Sequence, residues 1–190
     1  CNQQLTNIKN GIKKSVLMVW GHAGLGKTAV VKQMADFPVT YNGVEYPGWQ
    51  VIDVPVAQFE EMGYFHGLPD EAYPMIKGND RKMVEKAALS TFKDHGWEMD
   101  TSVDAHSKTV SIAPDWVPRE NVPTILFLDD VNRASTRILK GIMQLIQDYK
   151  TTSWVLPEAT VIVMSGNPAG SEEDYGVTDV DDAWISRAGH

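Results

Sequence analysis

Cysteine is nearly absent from this chain of 190 residues. Cys1 is its only cysteine, which excludes a disulfide within the chain and is typical of a reducing compartment, so we expect a cytoplasmic protein. The five histidines form no His-x-x-x-His pair and no Cys/His cluster, so the sequence predicts no zinc site. No apolar run approaches the roughly 18 residues that span a bilayer, and no signal peptide is recognisable, so we expect no membrane partner.

Basic residues are scarce as well. The chain has 17 Lys and Arg residues against 25 Asp and Glu residues, which gives a net charge of −8. Because binding to nucleic acid usually needs a basic patch and the lysines here are scattered, nucleic acid is a weak candidate for a partner. The rest of the composition, 43% hydrophobic and 22% charged, is that of a globular domain with a sizeable core.

Short apolar segments alternate with amphipathic ones along the chain. The apolar segments predict core strands at residues 16–20, 50–54, 124–128 and 160–164. Helical spacing of apolar residues predicts helices at 28–37, at 80–95 with a stop at Gly96, and after a capping Ser135. Strands that alternate with helices predict an α/β fold with a mostly parallel sheet sandwiched by helices.

The segments between these elements are expected to be irregular or inserted. Asn42-Gly43 predicts a tight turn between two short strands. Residues 57–70 predict an irregular or inserted element, residues 101–112 a hairpin, and residues 114–123 a loop because they contain three prolines.

A glycine-rich loop follows the first predicted strand and carries the strongest motif in the sequence. The pattern G-x-x-x-x-G-K-[ST] is met by Gly21-His22-Ala23-Gly24-Leu25-Gly26-Lys27-Thr28. Its glycines let successive backbone N–H groups point inward at phosphate oxygens. Lys27 is expected to contact the β- and γ-phosphates, and the hydroxyl of Thr28 to ligate Mg²⁺. The loop therefore predicts binding of a nucleoside triphosphate, with ATP favoured because no Asn-Lys-x-Asp guanine motif is present.

Two further strand ends carry polar side chains suited to phosphoryl chemistry. Asp129 and Asp130 follow the strand at 124–128, where Asp129 is expected to hold Mg²⁺ and Asp130 to act as the general base for an attacking water. Asn167 follows the strand at 160–164, where an amide can hold that water or a γ-phosphate oxygen. By itself Asn-Pro is a turn signal, and only the other two motifs favour a functional role for Asn167.

Arg187 is a fourth candidate, because an arginine from a neighbouring subunit can stabilise charge on the γ-phosphate. Residue chemistry alone does not separate that role from an exposed arginine, and Arg133 is equally ambiguous.

In order along the chain, these motifs resemble the MoxR-like, helix-2-insert branch of the AAA+ ATPases. The resemblance rests on residues 21–28, on Leu128-Asp129-Asp130-Val131-Asn132-Arg133-Ala134, on Ser165-Gly166-Asn167-Pro168 and on Asp182-Ala183-Trp184-Ile185-Ser186-Arg187. It covers roughly residues 16–69 and 114–190, whereas residues 70–113 match less well. The resemblance implies that residues 1–190 form one nucleotide-binding core, with inserts within residues 57–113.

The resemblance also implies an assembly and an activity. Members form rings, commonly hexamers, so a homo-oligomer is expected, with Asn167 as the first sensor and Arg187 reaching into the neighbour's site. Members often act as chaperone-like remodellers beside a von Willebrand factor A domain protein. The insert at residues 57–70 would point toward the ring's pore or its partner.

The sequence departs from the family pattern in two ways. The glutamate that usually follows the Walker B aspartate is Asp130 here, which is one methylene shorter, so that either the attacking water sits closer or turnover is slow. The family's fifth core strand and helical lid would lie beyond His190, so we expect the protein to continue past it.

These features leave three functions open. An ATP-hydrolysing remodeller is favoured, a nucleotide-dependent switch or scaffold with little turnover is the second hypothesis, and a DNA-associated motor is the third.

Overall fold

The computed structural model describes residues 16–102 and 108–168 and contains a central sheet of four parallel strands. In chain order these strands are β1 (Leu17–Trp20), β4 (Gln50–Pro55), β9 (Thr124–Asp129) and β10 (Thr160–Gly166). Their spatial order is β1–β10–β9–β4, with all neighbours parallel. All four core strands predicted from the apolar segments are thus confirmed, and the fold is α/β of the P-loop NTPase type.

Both faces of this sheet are covered, because alternate residues of its strands join two separate cores. Ile125 and Phe127 of β9 pack into one core, and Leu126 and Leu128 pack into the other. All four are fully buried, and each contributes roughly 1.5–3 kcal/mol by leaving water. This double burial explains why the strand is continuously apolar rather than alternating.

Helices cover the two faces of the sheet. Helix α1 (Lys27–Gln33) follows the glycine-rich loop, continues as a 3-10 turn over Met34–Asp36, and buries Val31 in the first core. Helix α4 (Thr136–Asp148) buries its apolar stripe in the second core. Its first turn is capped as predicted, because the hydroxyl of Ser135 accepts a hydrogen bond from the backbone N–H of Ile138 at 3.4 Å.

The predicted turn at Asn42-Gly43 joins two short antiparallel strands, β2 (Val39–Tyr41) and β3 (Val44–Tyr46). Asn42 and Gly43 have φ values of 52° and 79°, which a tight hairpin turn of this kind requires. Val39 and Tyr41 are buried in the same core as α1, so the hairpin closes one face of the sheet.

A second sheet, antiparallel, lies between β4 and β9 in the sequence. Its long strand β5 (Leu68–Lys77) pairs with β6 (Asp80–Glu85), β7 (Glu98–Met99) and β8 (Lys108–Ile112). The short helices α2 (Gly63–His66) and α3 (Leu89–Asp94) belong to the same stretch of chain. Residues 57–70 are less irregular than expected, because they include the end of a 3-10 turn (Val56–Gln58), helix α2 and the start of β5. The described partner of β8 is β5 rather than a strand within residues 101–112.

The predicted helix at 80–95 is wrong over its first half. Residues 80–85 form β6, residues 86–88 a 3-10 turn, and only residues 89–94 are α-helical. Six residue pairs join β6 to β5, and Val84 is the buried side chain of β6, so this ladder overrides the helical spacing of apolar residues. The predicted stop is confirmed: Gly96 has a φ of 78°, and Trp97 N–H donates to the carbonyl of Phe92 at 3.0 Å.

Within the described ranges, none of the helices is both long and apolar enough to cross a bilayer.

Candidate functional site

Three predicted motifs meet at the carboxyl edge of the central sheet. Trp20, the last residue of β1, lies beside Gly166 of β10, and Met164 of β10 lies beside Leu128 of β9. The glycine-rich loop, the aspartate pair and Asn167 therefore leave the sheet side by side. In open parallel sheets this edge is where ligands bind, which is why the order of strands matters for the site.

The glycine-rich loop is anchored at its start and open toward solvent along its length. Gly21 N–H donates to the carbonyl of Gly166 at 3.2 Å, which ties the loop to the end of β10. Gly24 and Gly26 have φ values of 80° and 76°, a conformation that glycine adopts without a steric penalty. The five residues that follow Gly21 are all exposed, namely His22, Ala23, Gly24, Leu25 and Gly26.

Lys27 turns its ammonium group back into the loop. Its Nζ donates to the carbonyl oxygens of Gly21 at 2.7 Å and His22 at 3.2 Å, and to Oδ1 of Asn167 at 2.8 Å. The positive charge is thus held between the start of the loop and Asn167, where phosphate oxygens would be attracted to it.

Thr28 and Asp129 bring two oxygen ligands together. Thr28 Oγ1 donates to Asp129 Oδ2 at 2.8 Å, and both residues are half-buried. Mg²⁺ prefers oxygen ligands and takes few of them from the protein, since it keeps several waters and substrate oxygens. A hydroxyl and a carboxylate beside the glycine-rich loop fit that preference.

Asp130 adopts a left-handed backbone conformation, with φ 53° and ψ 46°. Its N–H donates to Asp129 Oδ1 at 3.1 Å and to Ser165 Oγ at 2.9 Å, and Ser165 Oγ also donates to Asp129 Oδ1. Aspartate tolerates this conformation better than most residues, because its short side chain does not crowd the backbone. The turn offers a physical reason for aspartate rather than the longer glutamate at this position.

Asn167 connects the lysine to the acid. Its Oδ1 accepts from Lys27, and its Nδ2 donates to Asp130 Oδ1 at 3.0 Å. An ammonium only donates and a carboxylate only accepts, so these two partners define which way the amide faces. Lys27, Asn167 and Asp130 therefore form one continuous chain of polar contacts at the edge of the sheet.

Two further residues of this site, Ser165 and Asn132, lie within the sequence motifs, although the sequence alone predicted no role for them. Ser165, the residue of β10 that holds the Asp129–Asp130 turn, is fully buried, and Asn132 is 1% exposed against the backbone of Asn167. A buried serine or asparagine after an apolar strand is the available signal, because such groups need hydrogen-bond partners. The predicted Arg187 lies outside the described residues, and Arg133 ends the 3-10 turn Val131–Arg133.

Comparison with known proteins finds likenesses among solved structures alone. No family model matches the sequence, and no curated protein matches it. A solved structure described as a putative ATPase from Cytophaga hutchinsonii is 14% identical, with a TM-score of 0.42. That likeness covers 98% of this chain, which spans 42% of the length of the other protein.

Proposed function

We propose that this protein binds ATP with Mg²⁺ and hydrolyses it at the carboxyl edge of the central sheet. The observation that carries the proposal is the chain of contacts from Lys27 through Asn167 to Asp130. It joins a cation suited to the β- and γ-phosphates to a carboxylate suited to accept a proton. A loop that only bound phosphate would need no such acid beside its lysine.

The arrangement supports a direct attack of water on the γ-phosphorus. Asn167 orients the water, and Asp130 takes its proton as the new P–O bond forms. The bond between the γ-phosphorus and the bridging oxygen breaks, so ADP and phosphate leave. Lys27 holds the non-bridging oxygens in place and balances their charge. When bound by Thr28 and Asp129, Mg²⁺ would neutralise charge on the phosphates.

Phosphate release by the full-length protein with ATP and Mg²⁺ tests this proposal. The proposal predicts steady turnover that requires both. Tight ATP binding without turnover would instead favour the nucleotide-dependent switch or scaffold. The direct hydrogen bond between Asn167 and Asp130 is compatible with that function as well. Stimulation by DNA would select the motor, which the net charge of −8 disfavours.

We further propose, on the motif succession that resembles the MoxR-like branch, that the protein acts as a ring in which Arg187 completes the neighbour's site. Subunits carrying Lys27→Ala and subunits carrying Arg187→Ala are both expected to be inactive alone. Mixing them should restore part of the ATPase activity, because some sites then combine an intact Lys27 with a neighbour's intact Arg187. Activity that stays absent in the mixture would argue against action in trans.

A groove outside this site supports the proposal that the protein binds a protein partner. It has a volume of about 580 Å³ and lies between α2 and the paired ends of β5 and β8. Tyr64 and Leu68, which line it, are 60% and 70% exposed. Its charged lining residues are Asp70 and Asp115, and no described basic residue lines it. We propose that it takes a segment of a protein partner in which an apolar side chain stands beside Lys or Arg.

A labelled peptide with leucines flanked by arginines tests this groove. Leu68→Lys should weaken its binding at least about tenfold while ATP hydrolysis is unchanged, because the substitution removes an apolar wall of the groove and adds a charge that repels the arginines. Val155→Lys is the matched control, since Val155 is 68% exposed and lies outside the groove. Equal binding of a peptide with glutamates in place of the arginines would contradict the proposed partner chemistry.

A further inference from the structure

The side chain of Asn132 makes two hydrogen bonds to the backbone of Asn167. Its Nδ2 donates to the carbonyl of Asn167 at 2.7 Å, and its Oδ1 accepts from the N–H of Asn167 at 3.1 Å. Both residues are 1% exposed. One side-chain amide therefore satisfies both backbone polar groups of Asn167, in the way that a neighbouring strand would.

These hydrogen bonds lie beyond the point where β10 is paired with β9 in the sheet. The residue pairs between β10 and β9 end at Met164 and Leu128, three residues before Asn167. Beyond that point the carbonyl of Gly166 is held by Gly21, and Asn132 holds Asn167 itself. Asn132 thus takes over from β9 as the support of the strand end.

Asn132 also stands two residues after Asp130, in the 3-10 turn that Asp130 precedes. A single side chain therefore links the segment that carries the proposed base to the segment that carries the water-orienting amide. Displacing Asn167 by a fraction of an ångström would change both of its side-chain contacts, those with Lys27 and with Asp130.

We infer that Asn132 is a positioning residue for ATP hydrolysis, which acts through Asn167 by fixing its backbone beside Lys27 and Asp130. The inference rests on the proposed hydrolysis. It assigns Asn132 no contact with ATP, so its effect belongs to turnover rather than to nucleotide affinity.

Steady-state kinetics and ATP binding of Asn132→Ala in the full-length protein test the inference. The expected kcat is roughly 10- to 100-fold below wild type, with the Kd for ATP within about threefold, because the glycine-rich loop and Lys27 stay in place. Asn121→Ala is the matched control: Asn121 Oδ1 accepts from Ala159 N–H at 2.8 Å, just before β10 at the opposite end of the same strand. Its removal should lower stability and leave kcat unchanged.

A double-mutant cycle with Asn167→Ala separates positioning from a general structural role. If Asn132 acts through the Asn167 side chain, adding Asn132→Ala to Asn167→Ala should change kcat less than about threefold. A full additional loss in that background would contradict the inference. Should Asn132→Ala fail to fold, Asn132→Asp carries the same cycle, because a carboxylate oxygen can still accept from the N–H of Asn167 while the donor to its carbonyl is lost.

The same assay distinguishes this inference from the proposed function. No hydrolysis by the wild-type protein would remove the proposed function, and the inference with it. Hydrolysis by wild type together with wild-type kcat in folded Asn132→Ala would overturn the positioning role alone.

Discussion

Replacing Asp130 by asparagine is expected to lower kcat for ATP hydrolysis roughly 100- to 10,000-fold. The amide cannot accept the proton of the attacking water, although its oxygen can still accept from Asn167. Asparagine also tolerates the left-handed conformation at this position, so the turn should persist. Phosphate release at saturating ATP and Mg²⁺ measures the effect, and the Kd for ATP should stay within about threefold of wild type.

The control for this substitution is Asp80→Asn, which removes an exposed carboxylate at the β5–β6 turn. It changes the net charge by the same amount but lies in the other sheet, so kcat should be unaffected. Wild-type turnover in Asp130→Asn would show that a different group takes the proton.

Removing the ammonium of Lys27 should have the second large effect, this time on binding. Lys27→Ala is expected to weaken ATP binding at least about 100-fold. Two charge-assisted hydrogen bonds to phosphate are lost, together worth about 3 kcal/mol, and each 1.4 kcal/mol is a factor of ten. Calorimetric titration of the full-length protein with ATP and Mg²⁺ gives the affinity directly.

Lys32→Ala is the matched control for Lys27→Ala, because both lysines belong to α1. Lys32 lies in the last turn of this helix and pairs with Asp53 of β4 at 2.7 Å. Its ion pair raises the pKa of the Lys32 ammonium, first through the hydrogen bond to Asp53. Removing it deletes an equal charge, and ATP affinity should change less than about threefold. Equal losses in both variants would mean that net charge, rather than the loop, governs binding.

The features that the sequence predicts well are local ones. The glycine-rich loop, the apolar strands and the Ser135 cap each depend on neighbours within a few residues, so composition and spacing are enough to recognise them. The meeting of Asp129 and Asn167 at one edge follows from the strands being parallel, although the sequence does not contain the distances.

The features that the sequence misses depend on pairing across the chain. Met83 and Val84 begin a helical spacing of apolar residues that runs to Phe92, yet β5 supplies residues 80–85 with a hydrogen-bonding partner that a helix prediction cannot include. Asn132 and Asn167 are 35 residues apart, and no periodicity relates them. The left-handed conformation of Asp130 is likewise set by its contact with Ser165 from another strand.

The most direct test of the account is a crystal structure of the full-length protein with Mg²⁺ and a non-hydrolysable ATP analogue. We expect Lys27 Nζ within about 3 Å of β- and γ-phosphate oxygens, and Mg²⁺ ligated by Thr28 Oγ1. We also expect the γ-phosphate to face Asn167 and Asp130. A nucleotide bound elsewhere, or one whose γ-phosphate points away from both residues, would contradict the claim that these motifs form a single hydrolysis site.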